Sequence, residues 1–347
     1  MPTNNEDKIL IILTGGTICS FENENGERSS DAYEAKYKIV SAFEKSNSPF
    51  NNVKFDYRTP LNILSENMTI KSWNTLLSDF KSIENLKEYR GIIILHGTDT
   101  LAYTASLLSI MLTNFKIPVI LVSSQLPLDN DRTNGNTNFK AAVELIMNGI
   151  KPNVYAVYQN SDKNIYVHYG AHLRQCENYS DDFFSKTQIK IDTPENAHFE
   201  GRNFKTQNVF LNQINELSGG VLYITPFVGI DYNNFNLENI SAVVHNTYHS
   251  DTVCVERSKK QGEFSSYSIL EFAKNCKANN IDLFIAPCNP DAYSYESTGD
   301  ALENGVLPIT NLTTEMAYVK TLIGCSLKLK GDKLLQFINS DINNEAL

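Results

Sequence analysis

The sequence predicts an α/β protein made of two doubly wound α/β domains, the N-terminal one larger. Three observations carry this. Short, near-continuous apolar runs such as Ile9–Leu13 and Ile92–Leu95 alternate with stretches of helical apolar spacing, the rhythm of a parallel sheet covered on both faces. Several of the runs end in turns rich in Gly, Thr, Ser and Asp, at the place where open parallel sheets bind ligands. The 347 residues also exceed the roughly 250–300 that one hydrophobic core spans, so a second domain is expected.

The first strand, within Lys8–Ile18, runs straight into Thr14-Gly15-Gly16-Thr17-Ile18, where two glycines let the backbone turn sharply and approach a ligand. Standing alone, such a turn is an ordinary tight turn. Phe21–Ser30 is rich in Asn, Glu, Gly and Ser and reads as an exposed loop of the kind that serves as a lid. A loosely helical stretch, Tyr33–Phe43, precedes a short strand, Phe55–Thr59, which enters the loop Pro60–Met68. Behind that loop, Ile70, Trp73, Leu76, Leu77 and Phe80 mark an amphipathic helix, so the plain structural role for Ser65 and Glu66 is helix-entry capping. The strand Ile92–Leu95 then runs into His96-Gly97-Thr98-Asp99-Thr100, followed by a helix over Leu101–Leu112. A third strand, Pro118–Ser123, ends in Ser124-Gln125-Leu126-Pro127, and Phe139–Met147 is helical again. Val154–Tyr158 and Ile165–Tyr169 alternate and are joined by a turn-rich segment, which predicts a β-hairpin.

Residues 1–190 are therefore read as the N-terminal domain, 191–215 as a linker without clear periodicity, and 216–347 as the C-terminal domain. The second domain is expected to hold strands at Gly220–Ile224, Ala242–Val244 and Ile281–Ala286, with helices around Ser268–Ala278 and, last, Thr313–Ile323.

With 40 acidic against 30 basic side chains, a net charge of −10 disfavours nucleic acid and anionic membranes and points to a small-molecule ligand. The apolar run after the polar start spans five residues, too few for a signal-peptide core, and no stretch approaches the roughly 20 residues of a membrane helix. A cytoplasmic location is the expectation. Six cysteines without a CxxC pair fit reduced structural thiols.

Threonine hydroxyls attack only when a base or hydrogen-bond network takes the proton, so Thr17 and Thr98 each need an activating neighbour. The two motifs Thr14–Ile18 and His96–Thr100 resemble the signatures of the bacterial-type L-asparaginases, especially the cytoplasmic type. The likeness extends to Ser65-Glu66-Asn67-Met68, to Pro118-Val119 through Ser124-Gln125-Leu126-Pro127, to Leu302–Pro308 and to Asn311–Ala317. It implies an asparaginase-like fold and hydrolysis of a side-chain amide, L-asparagine to L-aspartate and ammonia, through a threonine acyl-enzyme without cofactor or metal. By residue, Thr17 matches the nucleophile, Thr98 the second threonine, and Asp99 the acid that pairs with the family's lysine and holds the substrate's amine. Ser65 matches the residue that binds the substrate's carboxylate, Glu66 the polar partner of the amine, and Gly97 completes the binding turn. A homodimer or homotetramer is implied.

Three departures qualify the resemblance. No lysine occurs between Lys163 and Lys186, where the family carries its catalytic lysine; one alignment puts Gln175 there, another Ser180. Glutamine can neither accept a proton nor supply charge, and the neighbouring Arg174 does not deprotonate near neutrality. The family's lid tyrosine falls at Glu27, with Tyr33 available if the lid is longer. Where the family has a Gly-x-Gly-Asn turn, this chain reads His245-Asn246-Thr247-Tyr248-His249-Ser250-Asp251-Thr252, a polar pocket wall or subunit contact. His245 and His249 with Cys254 suggest a metal by spacing, but the segment follows a strand instead of lying on a helix, so that spacing loses its geometric meaning. The alternatives to an asparaginase are a paralogue that senses an amino acid with impaired catalysis, and an amidohydrolase for a different amide.

Overall fold

The computed structural model describes residues 7–22, 28–30, 32–186, 188–191, 210–257, 263–289 and 295–347, so most of the expected linker, 192–209, and Glu27 lie outside the described residues. The chain divides into two compact units, Met1–Asn215 with Ile342–Asn344, and Glu216–Asp341 with Glu345–Leu347.

In the first unit the elements run β1 (Lys8–Leu13), β2 (Ser20–Glu22), β3 (Arg28–Ser30), α1 (Ala32–Glu44), β4 (Lys54–Arg58), α2 (Ile70–Lys81), β5 (Gly91–Leu95) and α3 (Leu101–Met111). They continue as β6 (Val119–Val122), α4 (Gly135–Met147), β7 (Val154–Gln159), β8 (Ile165–Tyr169), β9 (Leu173–Arg174), β10 (Phe184–Ser185), β11 (Ile189–Ile191) and α5 (Phe210–Gln213). Seven strands form one sheet in the order β11-β8-β7-β6-β5-β1-β4. It is parallel from β7 to β4, with β8 and β11 added antiparallel at one edge.

The register aligns Ile11, Ile93, Ile120 and Tyr155 in one row across the sheet, and all four pack in a core cluster with Ile39 of α1 and Phe139 of α4. Because strand side chains alternate, Leu10, Ile92, Ile94 and Leu121 face the other way, and they are equally buried. That is why these strands read as continuous apolar runs. On α2, Trp73 Nε1 donates to Thr104 Oγ1 of α3 at 3.1 Å. Helix entry into α2 is capped by Thr69, in a reciprocal capping box with Ser72, and not by Ser65. Ser65 is thereby left for another role. The chain passes from β1 to β4 on one side and then to β5 on the other, so the order reverses between β1 and β5.

The second unit carries β12 (Val221–Ile224), β13 (Ala242–Asn246), α6 (Ile269–Ala278), β14 (Asp282–Cys288), α7 (Glu296–Glu303), β15 (Leu307–Thr310), α8 (Thr314–Ser326) and α9 (Gly331–Asn339). Its four strands are parallel and adjacent in chain order. The expectation that the last helix lies at Thr313–Ile323 is corrected, since α9 follows it. In α8 the Lys320 ammonium is fully buried, 2.6 Å from the equally buried Glu345 carboxylate, and it also donates to the Ser340 carbonyl. No described helix is long and apolar enough to cross a membrane.

Three buried imidazoles make both units acid-sensitive. Burial pushes His96 and His245 down to about 4 and His168 to about 3, from an ordinary value of 6.5. Between those values the unfolded chain binds protons that the folded chain refuses, so the stabilisation is complete above pH 6.5 and declines as pH falls toward 4. Urea unfolding midpoints are expected to drop between pH 7 and pH 5, before most carboxylates titrate. A flat profile over that window would contradict the neutral, buried state of these rings.

Candidate active site

At the reversal point three turns meet through their backbones. Thr14, at the end of β1, donates from its amide and from Oγ1 to the Leu95 carbonyl at 3.1 and 2.9 Å, tying the β1 and β5 ends together. Gly16 N donates to the Ile63 carbonyl at 2.8 Å, and Ile63 N to the Thr14 carbonyl at 3.1 Å. Gly15 and Gly16 have φ of +104° and +81°, values L-residues rarely adopt. A Cβ on Gly16 would lie 2.3 Å from Gly97 Cα, and one on Gly97 would lie 2.4 Å from Ser65 Oγ. No other residue fits this seam.

Thr17 leaves the seam as the first residue of a 3-10 turn, Thr17–Cys19, and is half-buried. Among the described residues its hydroxyl has no hydrogen-bond partner. Ser65, buried at 3% exposure, donates from Oγ to Asp99 Oδ2 at 2.9 Å and accepts from the Asp99 amide at 3.1 Å. Thr100 Oγ1 donates back to the Ser65 carbonyl at 3.0 Å. This lattice fixes Asp99 while leaving its side chain exposed to a ligand.

A hollow of about 450 Å³ opens here, lined by Thr98, Asp99, Gln125, Tyr158 and the segment 175–181 with Phe183. Gln175 Nε2 donates to the Thr98 carbonyl at 2.9 Å, and Ser180 also lines the hollow, so both positions that the sequence offers for a lysine's place lie at the hollow. Among the described residues, the lining includes the carboxylates Asp99, Glu177 and Asp181 and no lysine, arginine or histidine. The Cys176 thiol donates to the Ser180 carbonyl at 2.7 Å, and burial raises its pKa, which favours the thiol over the thiolate.

The site thus gathers Thr98, Asp99, Ser65 and Gln175 by direct hydrogen bonds, with Gly97 on the seam and Thr17 just beyond it, outside the residues that line the hollow. Glu66 stands exposed on the turn Ser65–Asn67 and is not joined to the group. Glu27 lies outside the described residues, and Tyr33 is the second residue of α1. Sequence reasoning gives Thr14 and Gln125 no role, although both stand in its motifs, and within the wall 176–181 it singles out only Ser180.

Two other polar clusters are accounted for by structural roles. In a hollow of about 530 Å³ lined by Asp56, Arg58, Glu84 and Glu88, Arg58 Nε donates to both Asp79 oxygens at 2.9 and 3.0 Å, and Asp56 pairs with Lys8 at 2.5 Å. In the second unit His245 spends Nδ1 on the Asn246 carbonyl and Nε2 on the Tyr232 hydroxyl, so neither nitrogen is left to hold a metal. Asp251, at φ +59°, accepts from Asn289 N at Oδ2 and from Thr298 Oγ1 at its carbonyl, which gives the turn 245–252 a structural role.

The model for the N-terminal asparaginase domain matches residues 8–203. The chain belongs to the asparaginase family. Its asparaginase-type relatives include the L-asparaginase of Thermococcus kodakarensis, 32% identical over 153 residues, an alignment spanning 44% of each protein. L-asparaginase 1 of Escherichia coli is 28% identical over 253 residues, covering 69% of this chain and 70% of the relative. One component of the glutamyl-tRNA(Gln) amidotransferase of Thermoplasma volcanium is 24% identical over 357 residues, covering 99% of this chain and 81% of the relative. A solved structure of the thermostable L-asparaginase from Thermococcus kodakarensis superposes with a TM-score of 0.76 at 23% identity, covering 98% of this chain and 99% of that one. The mixed α/β fold with parallel sheets is therefore the asparaginase fold.

Proposed function

We propose that this protein is an amidohydrolase that converts L-asparagine to L-aspartate and ammonia through an acyl-enzyme on Thr17. The observation that carries the reading is the backbone seam of Gly16 against Gly97, which brings the Thr17 turn beside Thr98 and Asp99. In this mechanism Thr17 Oγ1 bonds to the side-chain amide carbon, its proton passes to the amide nitrogen, and the C–N bond breaks to release ammonia. Water, oriented by Thr98, then cleaves the resulting ester and regenerates Thr17. Asp99 holds the substrate's ammonium by a charge-assisted hydrogen bond, and Ser65 braces Asp99 and contributes to the carboxylate end. The cavity has ample room for an amino-acid amide. A cytoplasmic homo-oligomer is part of the same proposal, by analogy with the family.

One observation favours a second reading, a slow or ligand-sensing paralogue. No lysine lines the pocket among the described residues, and the Gln175 amide rests on the Thr98 carbonyl instead. Loss of a proton-transfer group lowers rates by about 10²–10⁴-fold, so slow turnover fits with Thr17 in place. The match to an amidotransferase component also keeps a different amide in play.

Ammonia release from asparagine, glutamine and a panel of other amides decides among these. Release from asparagine ahead of the others is expected, with faster release in Gln175→Lys. No release from any amide, while an amino acid still raises the melting temperature, would replace hydrolysis by sensing.

A further inference from the structure

We infer that His96 is a positioning residue: its ring anchors the Gly97–Thr98 peptide so that the Thr98 N–H faces the reacting amide. The inference rests on the amidohydrolase reading. His96 closes β5 and is fully buried, with Nδ1 2.7 Å from the Gly97 carbonyl oxygen. A carbonyl only accepts, so Nδ1 carries the proton and donates, and Nε2 is the bare imine nitrogen. Burial pushes the ring's pKa down to about 4, so this neutral tautomer is the working form at physiological pH.

The geometry of the peptide then sets the rest. In a trans peptide the carbonyl and the following N–H point in opposite directions. Holding Gly97 O inward, against the buried ring, turns the Thr98 N–H the other way, on the residue that lines the pocket. Among the described residues nothing accepts from that N–H, whereas the next amide, Asp99 N, is already taken by Ser65 Oγ. A donor held in place and left unspent beside the nucleophile's turn can meet negative charge developing on the substrate's carbonyl oxygen.

Packing alone does not account for the ring. Nε2 is buried with no hydrogen-bond partner among the described residues, a penalty that leucine would avoid at similar volume. By contrast His245, at the end of β13, engages both of its nitrogens. The single polar service of the His96 ring is to the Gly97 carbonyl.

Three measurements test the assignment: kcat and KM of His96→Leu, the same for His96→Asn, which keeps a donor near Nδ1, and the ring tautomer of the wild-type protein by ¹⁵N NMR. Expected are a proton on Nδ1, a kcat loss of about 10–100-fold in His96→Leu with KM within about threefold, and substantial recovery of kcat in His96→Asn. A wild-type ring protonated on Nε2 would overturn the proposal even if neither variant folds. So would a wild-type kcat in His96→Leu, or equal kcat losses in both variants that track their melting temperatures. Absence of ammonia release by the wild type would instead remove the hydrolytic reading and this inference with it; a failed tautomer or rescue with hydrolysis intact removes the inference alone.

Discussion

Thr17→Ala is expected to abolish ammonia release, lowering kcat at least about 10³-fold, because in the proposed mechanism the acyl-enzyme forms on its hydroxyl. The structural effect should be small. Thr17 is half-buried, and its hydroxyl has no hydrogen-bond partner among the described residues, so none of the bonds among them is lost with it. A melting temperature close to wild type would therefore separate chemistry from folding. Thr17→Ser restores a hydroxyl on the same turn and should recover a large part of the rate. Ammonia release by Thr17→Ala at more than about one tenth of the wild-type rate would assign the nucleophile elsewhere, Thr98 being the first place to look.

Glu345→Gln is expected to destabilise the second unit by about 3–5 kcal/mol, since it leaves the Lys320 ammonium buried without its counter-charge. Both side chains are at 0% exposure, so water cannot screen the orphaned charge. Burial already lowers the Lys320 pKa, and the Glu345 carboxylate is the main influence opposing that shift. The double variant Lys320→Met with Glu345→Leu removes both charges and should lie near the wild type, as apolar replacements of buried pairs often do. Urea unfolding of the three proteins checks this. A single variant no less stable than the double would mean that the pair contributes little.

Much of the fold was legible because its strands are buried on both faces. β1 and β5 are unbroken apolar runs, and the β7–β8 hairpin alternates cleanly around a polar turn. Most of what escaped lacked such signals. β15 contains Pro308, which argues against a strand. α7 carries Gly299 and buries only Thr298 and Ala301, whereas α9 does carry a helical signal, Leu334, Phe337 and Ile338 on one face, that the sequence reading passes over. Ser65 looked like a cap until Thr69 proved to be one. At the site, the motif threonines and Asp99 could be read from their strand-end turns, whereas the wall 176–181 is brought in by tertiary packing of a segment with no period of its own.

The glycine seam has a consequence for how such a protein changes over time. The proposed reactive residues sit on turns locked main chain to main chain, where a side chain on Gly15, Gly16 or Gly97 collides, while the opposing wall is a loop whose residues line the hollow. These two pieces of chain can drift at different rates. Exchanging residues 176–181 for the corresponding loop of a relative offers a route to new selectivity that leaves the nucleophile where it is. A lineage built this way retunes what it accepts without relearning how to react.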